Sequence, residues 1–434
     1  MIDYSFFMKN HIETLSQQGI KILKMIWCDN AGLTRAKALS LINIDKTNVP
    51  VIGLTTAAQA MPATEDFVVE GAGVDAVGEI WLQPDWSTLY RDPNCSSQAF
   101  VMAYLITQNG YWSLCPRYFL VRMEQQILAE YGVRLKIGFE HEFCLRLADQ
   151  TTPVDQNLYA AANVYTDFAD FWEAALMALS MVGIDCLYLH GESAPGQFEI
   201  STKAHSPLQS ADKAVYAKLI LHAVAKAQGY NLTFLPKIDK RFAGSGMHLH
   251  WSLWRNNQTL GFDETAQYFM AGVLDHLKSL QAITMPIINS YERLQENSWS
   301  GVYQIWGIDN REAAIRVPSS LKSGIFTHFE LKAIDGTCNP YLAIGALIAC
   351  GMAGIAEQIP LPPAINYQPS QNNVLSRLAA SLSESLECCT ADQTLHKAMG
   401  ADLHTAYLAV KNHENNACKN LSFEQQVALL FLRY

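Results

Sequence analysis

Acidic and imidazole side chains recur two residues apart in apolar segments of this sequence. The segment GFEHEF carries Glu140 and Glu142, and the segment GMHLHW carries His248 and His250. Alternate residues of a β-strand face the same side of a sheet, so each pair is predicted to point to one face. One ExE pair alone is typical of a solvated strand face, but these strands have large apolar residues at the alternate positions, which indicates burial on the other side.

Two further segments add acids to this set. HFELK places Glu330 and Lys332 at the same spacing, and HGESAPGQFEIS carries Glu192 and Glu199 on either side of a Pro-Gly turn. Carboxylates held close together raise one another's pKa unless a cation joins them. Hard divalent cations such as Mg²⁺ prefer oxygen ligands. The sequence therefore predicts a site for more than one metal ion, with a network of structural ion pairs as the alternative.

Three arginines follow in a segment rich in Gly, Trp and Asn: Arg293, Arg311 and Arg316. Guanidinium groups bind carboxylates and phosphates through two parallel hydrogen bonds. Acids for metal ions together with arginines for anions are typical of enzymes that transfer phosphoryl groups. The sequence lacks the glycine-rich phosphate loops GxxxxGK[ST] and GxGxxG, the zinc motif HExxH and the nucleophile motif GxSxG.

The elements that must position these residues alternate along the chain. Residues 1–108 are predicted to form a small mixed domain, with a strand–turn–strand unit over Ile20–Leu39, a long loop over Val51–Glu79 and an irregular connection over Leu82–Pro93. Residues 109–434 are predicted to form the larger domain. Its helices are predicted from apolar spacing: Tyr118–Tyr131, Asp167–Val182, Ser210–Gln228, Glu264–Leu280, Pro340–Ile355, Leu375–Leu386 and Asp402–Arg433.

Composition narrows the class of protein. The net charge of −10 and the lack of basic runs argue against nucleic acid or an anionic membrane as a main partner. Charged residues make up 17% of the chain, which indicates that much surface is covered in a core or in subunit contacts. The longest apolar run, Tyr341–Ile355, is shorter than a membrane span. Ten cysteines without a CxxC motif, and no signal peptide, predict a cytoplasmic protein with reduced thiols.

The motifs resemble those of the glutamine synthetase family. GFEHEF, HGESAPGQFEIS, GSGMHLHWSL, NSYERL, WGIDNREAAIRVP and HFELKAIDGTCNPYLAIGALIACGMAGI occur in the family's order over about residues 110–360. The resemblance implies an α+β fold: an N-terminal β-grasp domain, then a catalytic domain whose antiparallel sheet forms half a barrel flanked by helices. It also implies a homo-oligomeric ring, such as a dodecamer, with active sites shared between subunits. The reaction would join glutamate to ammonia through γ-glutamyl phosphate, with ATP and Mg²⁺ or Mn²⁺.

Roles for individual residues follow from the same resemblance. It implies two sets of metal ligands: Glu142, Glu192 and Glu199 for one ion, and Glu140, His248 and Glu330 for the other. Three residues would bind the acid substrate: Arg293, Gly244 and Glu192. Four would bind the nucleotide: His250, Ser252, Arg316 and His328. Four would serve catalysis: Arg311, Arg316, Lys332 and Trp299.

The sequence also departs from the family pattern, mainly at the acceptor. Family members that use ammonia have a glutamate six residues after the NSYxR arginine, where this chain has Trp299. They also carry an Asp-Gly-Ser-Ser stretch, which GLTTAAQ replaces here. Arginines are replaced by Lys332 and His328, and an asparagine by Ala243. Lysine keeps the charge but loses the planar fork.

These departures resemble the γ-glutamyl-amide ligases of the family, so we expect an acceptor amine other than ammonia. Ordinary glutamine synthesis, a different acid substrate, and a catalytically weak relative that serves as a binding or structural assembly are the alternatives.

Overall fold

The computed structural model of the chain describes residues 4–45, 50–321, 326–372 and 374–434. Two β-sheets organise it. The strands of the first sheet are β1 (Ile22–Cys28), β2 (Thr34–Ser40), β3 (Gly53–Thr55), β4 (Glu79–Pro84), β5 (Tyr90–Arg91), β6 (Gln98–Thr107) and β7 (Gly110–Tyr111). Their main order is β2-β1-β6-β4-β3, with β1 and β6 parallel at the centre.

The predicted strand–turn–strand unit is confirmed, because β1 and β2 pair antiparallel with Trp27 opposite Arg35. The predicted loop over Val51–Glu79 is right only in part. It contains β3 and a short 3-10 helix over Thr56–Gln59, and β4 begins at its last residue. The connection predicted over Leu82–Pro93 likewise begins inside β4. The hairpin of β6 and β7 carries this sheet to Tyr111, and the domain boundary near residue 108 stays a prediction.

The second sheet has nine strands and bears the acidic and imidazole pairs. Its strands are β8 (Arg134–Arg146), β9 (Cys186–Gly191), β10 (Gln197–Thr202), β11 (Asn231–Thr233), β12 (Leu249–Arg255), β13 (Gln258–Thr259), β14 (Tyr303–Ile308), β15 (Ala313–Val317) and β16 (Phe329–Leu331). The main order is β14-β15-β16-β12-β8-β10-β9. All neighbours pair antiparallel except β14 and β15, which are parallel. The predicted α+β class, with this sheet curled into half a barrel, is confirmed.

Helices surround both sheets. They are α1 (Tyr4–Gln17), α2 (Pro116–Tyr131), α3 (Val164–Asp167), α4 (Ala169–Met181), α5 (Pro207–Ala227), α6 (Glu264–Asp275), α7 (Leu277–Thr284), α8 (Ile288–Tyr291), α9 (Pro340–Glu357), α10 (Leu382–Ala391), α11 (Gln393–Met399), α12 (Ala401–Cys418) and α13 (Phe423–Leu430). The helices predicted at α2, α4, α5 and α9 are confirmed within a few residues.

Three helix predictions need correction. The helix predicted over Glu264–Leu280 is two helices that meet at His276. The one predicted over Asp402–Arg433 is also two, because Ser422 starts α13 with a capping box. The prediction over Leu375–Leu386 is wrong in its first half. There the backbone runs extended beside β14, with the N–H of Leu378 donating to the carbonyl of Val302 at 3.0 Å.

Helix α9 packs in the core behind the second sheet. It is the one helix of the described residues that is long and apolar enough to cross a membrane, and 78% of it is buried inside the fold. It crosses α6 where Gly272 and Gly354 meet, and a Cβ on Gly354 would lie 2.6 Å from the backbone N of Gly272. This close crossing lets α6 and α9 form one layer that supports the sheet carrying the acids.

Candidate active site

The central strands of the second sheet bring the acids together by register. In the antiparallel pair of β8 and β10, Glu142 lies directly opposite Glu199. Across β9, Glu199 lies opposite His190. Directly opposed residues of an antiparallel pair have side chains about 5 Å apart on one face. The sheet therefore forces two carboxylates and an imidazole into contact.

A second group forms where β8, β12 and β16 meet. His250 lies opposite Glu330 in the register of β12 and β16. The Nε2 atom of His250 is 3.2 Å from Glu140, and the Nδ1 atom of His248 is 3.2 Å from Glu140 and 3.3 Å from Glu330. Both histidines thus approach the same pair of acids, as the two-residue spacing predicted.

Glu330 is fully buried among cationic side chains. The Nε atom of Arg316 lies 2.8 Å from one carboxylate oxygen, and Nζ of Lys332 lies 3.3 Å from the other. Although burial acts to raise it, the charges of Lys332 and of the two neighbouring histidines, His250 and His248, lower the pKa of Glu330 to about 2. The carboxylate is therefore charged throughout the physiological range.

The remaining acids repel one another. Burial and the carboxylates of Glu140, Glu142 and Glu192 raise the pKa of Glu199 to about 10. Burial also acts to raise the pKa of Glu140, but hydrogen bonds from His248 and His250 outweigh it and hold this pKa below its usual range. Of the carboxyl groups in this cluster, Glu199 is thus the one whose protonated form is most favoured at neutral pH.

These acids line one cavity of about 320 Å³. Ten of the residues given a site role from the sequence line it: Glu140, Glu142, Glu192, Glu199, Gly244, His248, Arg293, Trp299, Arg311 and Lys332. Ala243, Tyr159, Ser298 and Ser300 complete the lining. The lining thus combines four carboxylates with the aromatic side chains of Trp299 and Tyr159.

Arg293 belongs to the cavity lining, although its side chain is only 2% exposed. Its guanidinium donates to the carbonyl of Lys332 at 3.1 Å and lies 3.0 Å from Nε2 of His248. Glycines allow this approach, because a Cβ on Gly244 would lie 2.8 Å from the Arg293 side chain and one on Gly246 would lie 2.6 Å from its Nη2. Arg293 is therefore fixed in the cavity lining beside Gly244, and its role in binding the acid substrate stays a prediction.

The residues expected at the nucleotide lie beside the cavity rather than in its lining. The ring of His328 lies 5.2 Å from that of His250. Burial, with the nearby His250, lowers the pKa of His328 to about 4, so this side chain offers a neutral imidazole where the family has an arginine. Ser252 lies two residues beyond His250 on β12 and accepts a hydrogen bond from Nε1 of Trp254 at 2.9 Å. Arg316 is engaged with Glu330.

Trp299 lines the cavity and is half-exposed. Its ring lies 6.1 Å from that of Tyr159, which in turn meets the His190 ring edge-on at 5.6 Å. Tyr159 was not predicted from the sequence, because it lies in a loop without regular spacing. Nor was His190, whose Nε2 is 2.8 Å from Glu192. The two-residue spacing of His190 and Glu192 is the signal that would have found it.

The donor set fits divalent metal ions. Among the described residues there are two groups whose ligand atoms could hold a metal ion. Within each group the atoms lie within 4.8 Å of one another: Glu140, His250 and Glu330 in the first, and His190, Glu192 and Glu199 in the second. Carboxylate oxygens, which supply most of the donors in both groups, suit Mg²⁺ and Mn²⁺. Positive charge would also remove the repulsion that raises the pKa of Glu199. The division of the ligands between two ions that the resemblance implies differs from these groups and stays a prediction.

Known protein families were compared with this chain. Residues 113–428 match the family described as glutamine synthetase, catalytic domain. The chain belongs to the glutamine synthetase family and is an ATP-dependent ligase of the glutamate–ammonia or amine type.

Relatives and solved structures cover nearly the whole chain. It is 31% identical over 449 residues to type-1 glutamine synthetase 1 of Dictyostelium discoideum, covering 95% of this chain and 89% of that protein. It is 29% identical over 444 residues to a γ-glutamylpolyamine synthetase of Streptomyces coelicolor, with coverages of 97% and 95%. A crystal structure titled as a novel glutamine synthase homolog superimposes with a TM-score of 0.85 at 26% identity, covering 96% and 99% of the two chains.

The acid cluster predicts how stability depends on pH in the metal-free protein. An acid whose pKa is raised on folding stabilises the fold below its unfolded pKa and loses that contribution as pH rises toward its folded pKa. For Glu199 this window runs from its ordinary pKa of 4.5 to about 10. In EDTA, we expect the melting temperature to fall between pH 6 and pH 9, and Glu199→Gln to flatten that slope by roughly 2 °C or more.

Addition of Mg²⁺ or Mn²⁺ at pH 8 should restore the melting temperature of the unaltered protein and release protons, measured in weakly buffered dye solution. Glu384→Gln is the matched control, since Glu384 lies outside the cavity and accepts a backbone N–H from Ala380 at 2.8 Å. An unchanged pH slope in Glu199→Gln would contradict the raised pKa of Glu199.

Proposed function

We propose that this protein uses ATP to join glutamate to an amine other than ammonia, forming a γ-glutamyl amide. The observation that carries the proposal is the aromatic pair of Trp299 and Tyr159 at the acceptor end of the cavity, in place of a carboxylate. The reaction would run in two steps. The glutamate γ-carboxylate takes the γ-phosphoryl group of ATP and releases ADP. The neutral amine then attacks the acyl carbon, phosphate leaves with its electron pair, and the proton that the nitrogen loses is taken up by the departing phosphate.

The acid half of the cavity supports the first step. Metal ions bound by the carboxylates and histidines would neutralise charge on the phosphates of ATP. Arg293, buried beside Gly244, would pair with the α-carboxylate of glutamate. Arg311 is exposed at the cavity and free to reach a phosphoryl group. Lys332 lines the same cavity, and its Nζ lies 3.3 Å from Glu330, so its positive charge is available there to a phosphoryl group.

The acceptor half supports an alkylated amine. An uncharged wall gives NH₄⁺ little compensation for the hydration that it loses on binding. A carbon-bearing amine gains about 0.8 kcal/mol for each buried CH₂ group, so a short alkyl chain shifts preference by about tenfold or more. The carboxylates that line this cavity are Glu140, Glu142, Glu192 and Glu199, and all four are assigned here to metal ions. The γ-glutamylpolyamine synthetase relative supports this choice of substrate, whereas the relatives named glutamine synthetase support ammonia.

An oligomer is part of the proposal. Of the described residues that precede position 109, none lines the cavity in a single chain. The segment at Thr55 carries β3 into a 3-10 helix, and in the proposed ring it would complete the cavity of a neighbouring subunit. We therefore propose a homo-oligomer whose active sites are shared between subunits.

The phosphoryl step is tested at Glu330. Glu330→Gln keeps the size of the buried side chain but removes the charge that pairs with Arg316 and Lys332. We expect ATP turnover to fall at least about 100-fold, because two cationic side chains lose their shared partner at the site of phosphoryl transfer. Phosphate release is the measurement, and far-ultraviolet circular dichroism checks the fold. Normal ATP turnover in a folded variant would show that Glu330 is not needed for phosphoryl transfer.

The acceptor is tested with ammonium, methylamine, ethanolamine and putrescine. We expect the unaltered protein to form an amide from at least one carbon-bearing amine with a kcat/KM about tenfold above that for ammonium. Trp299→Glu supplies a charge partner for NH₄⁺ and should raise turnover with ammonium relative to the preferred amine. Amide product is measured by mass spectrometry. If ammonium is used at least as efficiently as every amine, the protein is an ordinary glutamine synthetase with a rebuilt acceptor pocket.

Assembly is tested by light scattering during gel filtration. We expect an oligomer at micromolar concentration, with specific activity that falls on dilution below the concentration at which it dissociates. A fully active monomer would contradict the sharing of active sites between subunits.

A further inference from the structure

The loop that carries Trp299 has an unusual backbone. In this segment, residues 295–300 and hereafter the Trp299 loop, Asn297 has φ +60° and Trp299 has φ +59°. Both lie in the left-handed region, which is strained for residues other than glycine and most unusual for a bulky side chain. Such backbone persists only where surrounding contacts fix it. The contacts that fix this loop therefore decide where the indole of Trp299 lies.

One buried carboxylate holds both strained residues. The backbone N–H of Trp299 donates to Oε1 of Glu312 at 2.7 Å, and that of Asn297 donates to Oε2 at 3.1 Å. Glu312 is 5% exposed and immediately precedes β15. Its own N–H donates to the side chain of Asn310 at 3.0 Å, so its position is fixed from the strand side. Hydrogen bonds to a charged acceptor are shorter and stronger than neutral ones.

Other contacts of the Trp299 loop join Gln295, Ser298 and Ser300 to one another and tie Glu296 and Asn297 to neighbouring segments. Glu296 accepts hydrogen bonds from the hydroxyl of Tyr303 at 2.8 Å and from Arg377 at 2.7 Å. The side chain of Asn297 accepts one from Gln368 at 2.7 Å. None of these reaches the backbone of Trp299. Glu312 also does not line the cavity, and both its oxygens are occupied. Its geometry is that of a support for the loop rather than of a group that binds ammonium.

We propose that Glu312 is a positioning residue that latches the Trp299 loop over the acceptor end of the cavity. The inference rests on the proposed function only in that the acceptor enters beside Trp299. With the latch in place, the indole defines the amine pocket and covers the acyl phosphate. With the latch lost, water reaches the acyl carbon, and γ-glutamyl phosphate and water give glutamate and phosphate. ATP is then consumed without amide.

Glu312→Gln tests the latch, because the amide keeps the size of the side chain but has one acceptor oxygen instead of two. We expect hydrogen exchange at the backbone amides of Asn297 and Trp299 to become at least about tenfold faster. The KM for the acceptor should rise about tenfold, while the KM for ATP stays within about twofold. The phosphate released for each amide formed should increase. Glu384→Gln, which alters a carboxylate–backbone contact outside the cavity, should change none of these.

A second variant distinguishes loss of support for the loop backbone from a nonspecific loss of stability or activity. Glycine adopts positive φ without strain, so Asn297→Gly needs less support from the carboxylate. In that background, the effect of Glu312→Gln on the acceptor KM should shrink at least about threefold. Unchanged exchange at Asn297 and Trp299, equal losses for ATP and acceptor, or fully additive effects of the two substitutions would each overturn the latch.

The assay uses methylamine and ammonium in parallel. If the unaltered protein prefers ammonium, the proposed amine specificity is wrong. The latch is then still tested by hydrogen exchange at the backbone amides of Asn297 and Trp299 and by the KM for ammonium. If Glu312 instead binds or deprotonates the acceptor, Glu312→Gln lowers kcat with both acceptors and leaves loop exchange unchanged, which overturns the proposal.

Discussion

Repulsion among buried carboxylates is the constraint on which the rest of this structure depends. The register of β8 and β10 places Glu142 directly opposite Glu199, and the neighbouring acids raise the pKa of Glu199 to about 10. Left to themselves, such groups would move apart into water. They stay together because their backbones are paired on both sides in the middle of a sheet. The paired strands thus hold several carboxylates close enough together to bind a divalent cation.

The opposite face of the same strands keeps them in place. Apart from the buried His141, the alternate residues are large, apolar and buried: Phe139, Phe143, Leu249, Trp251, Phe329 and Leu331. Burial of each such side chain contributes about 1.5–3 kcal/mol. Helix α9, which is apolar on all sides, closes the core behind them. The two-residue period therefore has two consequences, since one face gathers ligands that fit divalent cations while the other anchors the sheet.

This period is also why much of the site could be predicted from the sequence. Strand alternation is local, so Glu140 with Glu142 and His248 with His250 were identified from spacing alone. Long-range pairing is not local. The segment Leu375–Leu386 has helical spacing, yet Leu378 is held extended by the backbone of Val302, about 75 residues away along the chain. Glu312 escaped notice for the same reason, because its partners lie in a loop and only the fold brings them together.

The two ends of the cavity differ in how they are built. The acids lie on paired strands, where moving one side chain by a residue would turn its neighbours to the other face of the sheet. The acceptor end is made of loops, in which Tyr159 and Trp299 can change without altering the register of β8, β10, β12 or β16. Chemistry common to the family can therefore coexist with a different acceptor. A loop wall needs its own support, however, and the carboxylate of Glu312 provides it from the position just before β15, the strand that carries Arg316. The Trp299 loop and Arg316 are thus held by neighbouring positions of one segment of the fold.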